Sequence, residues 1–205
     1  MKKRLEMAVQ MSAKSVFDLD FSDRLIYETW LAQAYYFVRH STPMLALSCG
    51  LAIENREYNL RCISHLAEEK GHDRMLLNDL KKIGSSIENV PEFSSTRALY
   101  QTQYYWIEHV NPVSFLGYIM VLEGIAVHCG PRKVEETKSF AGSSFVKLHA
   151  QEDLDHFQSA LSQLDLMSEK DQRDIVGNAE HTADLYRLMA SEISDRARRL
   201  SAKVA

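Results

Sequence analysis

The chain has 205 residues, 45% of them hydrophobic, which is enough for one full core, so a single domain over residues 1–205 is the default. A net charge of −4 gives no reason to expect a nucleic-acid partner and leaves small molecules as the better expectation. Three cysteines, Cys49, Cys62 and Cys129, lack C-x-x-C spacing, so neither a disulfide framework nor a thiolate zinc site is suggested, and they fit a reducing cytoplasm.

The first residues, Met-Lys-Lys-Arg-Leu-Glu-Met, are basic without an apolar core behind them, which argues against a secretory signal. No uninterrupted apolar run of membrane-spanning length is read, so a soluble protein without membrane partners is expected. Residues 1–16 predict a short amphipathic helix, followed by a break with Ser22 as N-cap. From residue 23 to 40, Leu25, Ile26, Trp30, Leu31, Ala34, Tyr35, Phe37 and Val38 recur at helical spacing and predict a core-facing helix. Ser41-Thr42-Pro43 stops that helix and starts another, because proline is tolerated only in a first turn. Residues 44–53 are nearly all apolar and should be buried.

Residues 57–83 predict one long helix ended by Gly84. After a loop at 85–91, residues 93–109 predict a helix rich in tyrosine and tryptophan. Asn111-Pro112 reads as an N-cap with proline at the first helical position, opening an apolar helix over 113–128 in which Glu123 is the one acid. Gly130-Pro131 predicts a break, with a short charged helix at 132–139 and a longer one over 142–164. Ser168 with Asp171 resembles a capping box and opens the last helix, 171–199. No strand-like alternation is seen, so the fold class is all-α.

Chemistry gathers in two copies of the pattern H-x-x-x-[D/E]-x-x-H: His65, Glu69 and His72, then His149, Asp153 and His156. On a helix these offsets share one face, and imidazole with carboxylate is what zinc, iron, manganese and nickel accept inside a bundle. With 8 His and 28 acidic residues in the chain, random placement gives about 0.04 copies of the pattern. A single His–Asp pair would be read as an ordinary pair on a helix surface. The second stripe and Glu123 favour ligation, because a carboxylate among Ile, Met, Val and Leu is costly to bury unless a cation, metal or donor meets it.

Glu69, His72, Glu123, His149, Asp153 and His156 offer three carboxylates and three imidazoles, a set able to hold two divalent ions without sulfur, as in carboxylate-bridged di-iron and di-manganese sites. His65 shares their face, either as a hydrogen-bonding neighbour or as a seventh ligand. Glu68 and Glu152 read as solvated acids. His40, His109, His128 and His181 read as helix-end or satisfied histidines. The aromatic runs around Trp30 and Tyr104 read as core, with one or two tyrosines available to line a cavity.

The run Trp30 to His40, the segment His65 to His72 and the pattern at His149 to His156 together resemble the haem-oxygenase-like superfamily, which includes thiaminase-II-like and pyrroloquinoline-quinone-synthase-like proteins. The nearer likeness is to its metal-dependent diiron oxidases and oxygenases. That resemblance implies a bundle of seven or eight helices with the metals near its centre, and the six residues above as ligands of two iron ions. It further implies O2, an electron donor and a small amino-acid, amine or fatty-acid-like substrate, and it is compatible with a homodimer. Some members carry the first Glu a heptad before its His; here His65 stands there and Glu69 takes the alternative place. By affinity order, zinc can displace iron from such a site in a purified sample, and manganese shares its ligand preferences.

Two other functions compete. A metal-free thiaminase-II-like hydrolase would need an activated cysteine, and nothing near Cys49 or Cys129 forms a nucleophile–base arrangement. The other is a non-catalytic metal- or haem-binding helical protein or partner-binding scaffold; haem needs one proximal histidine, not six ligands, and a scaffold would hold no stoichiometric metal.

Overall fold

Helix α1 (Lys2–Phe17) buries Leu5, Ala8, Val9, Ser12, Ala13 and Val16 along one face, the 3–4 spacing of an amphipathic helix, and lays it on α7 (Phe115–Glu136) and α9 (Glu169–Ser201). The computed structural model describes residues 1–203. Between these lie α2 (Arg24–Val38), α3 (Ser41–Leu51), α4 (Arg56–Glu69), α5 (His72–Lys82), α6 (Ser94–Tyr105) and α8 (Ser144–Leu166), and no strand occurs among the described residues. Taking the interruptions at Arg39-His40 and Lys70-Gly71 as bends within one helix, the nine segments among the described residues reduce to seven, an all-α bundle.

Helix α7 is the hub. It packs on α1, α8 and α9, and its apolar residues from Phe115 to Ile125 are almost all buried. The run Pro112–Glu136 is long and apolar enough to cross a membrane, although Glu123 interrupts it, and 78% of its most apolar stretch is buried inside the bundle. Its entry is as expected: Asn111 accepts from the backbone N–H of Val113, and a single 3-10 turn, Pro112–Ser114, leads into the helix.

The break expected at Gly130-Pro131 does not occur. Helix α7 continues to Glu136 because its last turns are held from the side: the buried Lys133 ammonium donates to the carbonyl of Leu19 and to Glu136, which also accepts from the backbone N–H of Phe21 at 3.0 Å. Tertiary bonds of this kind override a weak local preference. Gly130 itself is needed for packing, since a Cβ there would stand 2.8 Å from the Cβ of Ala150 on α8.

Three further differences are local. The N-cap of α2 is Asp23, whose Oδ1 accepts from Leu25 N–H at 2.8 Å, while Ser22 is engaged with Asp20. Within 44–53 only Met44, Leu45, Ser48 and Ala52 are buried, and Leu51 and Ile53 face outward. The long helix expected over 57–83 is split after Glu69, where Lys70 is extended and Gly71 has φ 97°. Ser168 caps α9 as expected, accepting from Asp171 N–H.

Candidate metal centre

The split between α4 and α5 shapes the site. Glu69 is the last residue of α4 and His72 the first of α5, so the stripe predicted on one helix is instead folded around a corner made by Gly71, the residue type that adopts positive φ without cost. Glu69 thereby sits between two imidazoles, one carboxylate oxygen 3.5 Å from His65 Nε2 and the other 3.4 Å from His72 Nδ1.

Helix α8 faces this corner and is continuous through its stripe, so His149, Asp153 and His156 share a face as predicted. His149 Nδ1 is 3.1 Å from Asp153 Oδ1, and its ring meets that of His72 edge-on at 4.9 Å. Glu69, His72 and His149 each offer one ligand atom within 4.8 Å of the other two. From α7, Glu123 points into the same region with 4% exposure, its Oε1 3.9 Å from His65 Nε2. Asp153 Oδ1 is 3.8 Å from His156 Nδ1, and the partly exposed His156 also meets Glu68 at 3.4 Å.

Four helices therefore bring together all six residues singled out in the sequence. Glu69, His72 and His149 form a tight trio; Glu123, Asp153 and His156 border it more loosely. His65, left open in the sequence reading, lies between Glu69 and Glu123. Arg61 was missed: its Nη2 is 3.2 Å from Glu123 Oε1 and 3.2 Å from the His156 carbonyl. The signal existed, since Arg61, His65 and Glu69 stand four residues apart along one face of α4.

Proximity shifts these groups strongly. Burial alone would raise Glu69, but hydrogen bonds and charge from His65 and His72 outweigh it and hold the carboxyl well below its usual range. Burial pushes Glu123 up to about 7, against the opposing pull of Arg61 and His65. His65 and His149 are lowered by burial yet end above the usual imidazole value, because Glu69 and Glu123 act on the first and Asp153 on the second.

Three buried atoms here lack any hydrogen-bond partner: His65 Nδ1, His149 Nε2 and Glu123 Oε2. Leaving one such atom unsatisfied costs about 1–3 kcal/mol. Oxygen and imidazole donors converging with orphaned atoms fit a divalent ion of the iron, manganese or zinc kind. Beside them lies a cavity of about 120 Å³, walled by Trp30, Phe37, Leu45, Ile119 and Phe145, with His65, Glu69, Glu123, His149 and Asp153 along its polar side.

Over residues 28–187 the sequence matches the profile of a family described as iron-containing redox enzyme. The chain belongs to this family. The matched span holds every residue named in the site.

No curated protein matches the sequence. Among solved structures, a domain of unknown function with a heme oxygenase-like fold from Shewanella denitrificans superposes with a TM-score of 0.82 at 20% identity, covering 98% of this chain and 92% of that one. A TenA homolog from Pseudomonas syringae pv. tomato gives 0.76 at 12% identity over 94% and 92% of the two chains. A CADD-like protein of unknown function from Nostoc punctiforme gives 0.71 at 13% identity over 100% and 97%. At these identities the likeness establishes the fold alone.

Proposed function

We propose that the protein is an O2-dependent, non-haem diiron oxidoreductase. Glu69, His72 and His149 would hold one ion, and Glu123, Asp153 and His156 a second beside it. A small substrate with an apolar portion, of the amino-acid, amine or fatty-acid kind, would lie in the adjoining cavity. The observation that carries this reading is the convergence of donors from four helices, several with orphaned buried atoms, at the wall of an apolar cavity.

Iron held there would supply one-electron redox chemistry and O2 activation, with an outside electron donor needed to reduce it. The chain's own groups do the rest. Asp153 accepts from Nδ1–H of His149, which fixes the tautomer and turns Nε2 toward the centre. Phe145 packs on the His149 ring at 4.2 Å and restrains its rotation. The three carboxylates balance cationic charge, and the aromatic and aliphatic walls exclude water from the substrate.

A metal-free hydrolase has one observation in its favour, that Cys129 lines the same cavity. Burial raises that thiol, and its Sγ donates to the Ala13 carbonyl at 3.0 Å, so it is no activated nucleophile.

The test is O2 uptake by iron-loaded protein supplied with a chemical reductant and a panel of aliphatic amines, amino acids and fatty acids. Substrate-stimulated uptake that is lost in His149→Ala supports the proposal. Hydrolysis of a thiamin analogue that survives in His149→Ala would replace it with the metal-free reading.

A further inference from the structure

We infer that Arg61 competes with the second metal ion for Glu123, so that the two halves of the centre fill in order, the Glu69–His72–His149 half first. This rests on the two-ion reading above. The guanidinium is nearly buried, with its side chain 14% exposed, and it is latched on three sides. Nη2 donates to Glu123 Oε1 and to the His156 carbonyl, both at 3.2 Å, and Nη1 donates to Ser159 Oγ at 3.0 Å. It thus ties the carboxylate of α7 to the backbone of α8, across the residues assigned to the second ion.

The two halves differ in this respect. Around Glu69, His72 and His149 the ligand atoms already lie within 4.8 Å of one another, and no lysine or arginine pairs with any of them among the described residues. Around Glu123 a fixed cation already holds one carboxylate oxygen. Two positive charges drawn to one carboxylate in a site of low dielectric repel far more strongly than they would in water. A divalent ion entering the second half therefore has to displace the guanidinium, and the first half offers no such obstacle.

The opposite role would also fit an arginine at this distance. Bonded to Oε1, Arg61 could brace Glu123 so that the orphaned Oε2 meets the ion. The two roles give opposite signs when Arg61 is removed, so a titration separates them.

Metal-free protein is titrated anaerobically with Co(II), read by visible absorbance and calorimetry. For the parent chain two steps are expected, the second at least tenfold weaker than the first. In Arg61→Gln the second step tightens at least tenfold while the first stays within threefold. Ser159→Ala, at an exposed position that only loosens the latch, shifts the second step the same way by a smaller factor. It serves as the independent readout should Arg61→Gln fold poorly. A second step that is unchanged or weaker in both variants overturns the competition and leaves a two-ion centre standing. A parent chain that binds no ion overturns the centre and this inference together.

Discussion

Glu69 and His72 meet at 3.4 Å across a helix break, with Gly71 at φ 97° between them. A continuous helix would have placed them one turn apart on the same rod. The corner instead turns both toward α8, so the site depends on one residue that can adopt a left-handed backbone.

Gly71→Ala should expose that dependence. Nothing lies within 4 Å of the added methyl group, so the cost is backbone conformation alone, about 1–2 kcal/mol. A chain of this size should lose roughly 2–4 °C in melting temperature per kcal/mol. Thermal melts of metal-free protein and ion titrations should show a lower melting point and a weaker first ion. An unchanged first affinity would mean that the corner does not set the site.

Asp153→Asn separates the orientation of His149 from the charge beside it. The amide oxygen can still accept from Nδ1–H, so the fold should be kept, while the first ion should weaken about 10–100-fold and the second, of which Asp153 is a proposed ligand, should weaken more. His149→Ala should abolish the first ion outright. Metal content by elemental analysis, with melting curves as the control for folding, checks both.

Glu123 gives a pH signature. In the metal-free protein its carboxyl is raised by burial from 4.5 to about 7, so between those values the folded chain keeps a proton that the unfolded chain has lost. Stability then falls as pH rises through that window and levels off above it. At about 1.4 kcal/mol per pH unit, the span is worth roughly 3 kcal/mol. Urea unfolding of chelator-treated protein should show Glu123→Gln gaining on the parent by about that amount from pH 4.5 to 7, whatever constant offset separates them. A flat difference would mean that Arg61 keeps Glu123 ionised throughout.

The cysteines should be quiet. Burial pushes the Cys62 thiol up to about 11 and raises Cys129, and both are enclosed. At pH 8 a thiol reagent should label only Cys49 readily, and all three after unfolding. Fast labelling of Cys129 in the native protein would restore the case for a cysteine nucleophile at the cavity.

Much of this architecture was legible in the residues. Apolar spacing gave the helices, Asn111 and Ser168 announced two helix starts, and the two histidine stripes with Glu123 named the groups that the fold brings together. What escaped was set by tertiary context. Gly71 inside a helical pattern reads as a tolerated glycine, since its left-handed backbone is dictated by the corner and not by its neighbours. Pro131 reads as a break, yet bonds from the buried Lys133 carry the helix past it. Arg61 has a side chain long enough to point to solvent or inward, and only the packing of α4 against α7 and α8 decides which.

Two iron ions held by one shared set of ligands should show themselves in Mössbauer spectra of protein loaded anaerobically with isotopically enriched Fe(II) and then exposed to O2. The prediction is close to two irons per chain, converted together to a coupled, diamagnetic diferric pair. One iron per chain with the magnetically split spectrum of an isolated ferric ion, or no bound iron, would contradict it.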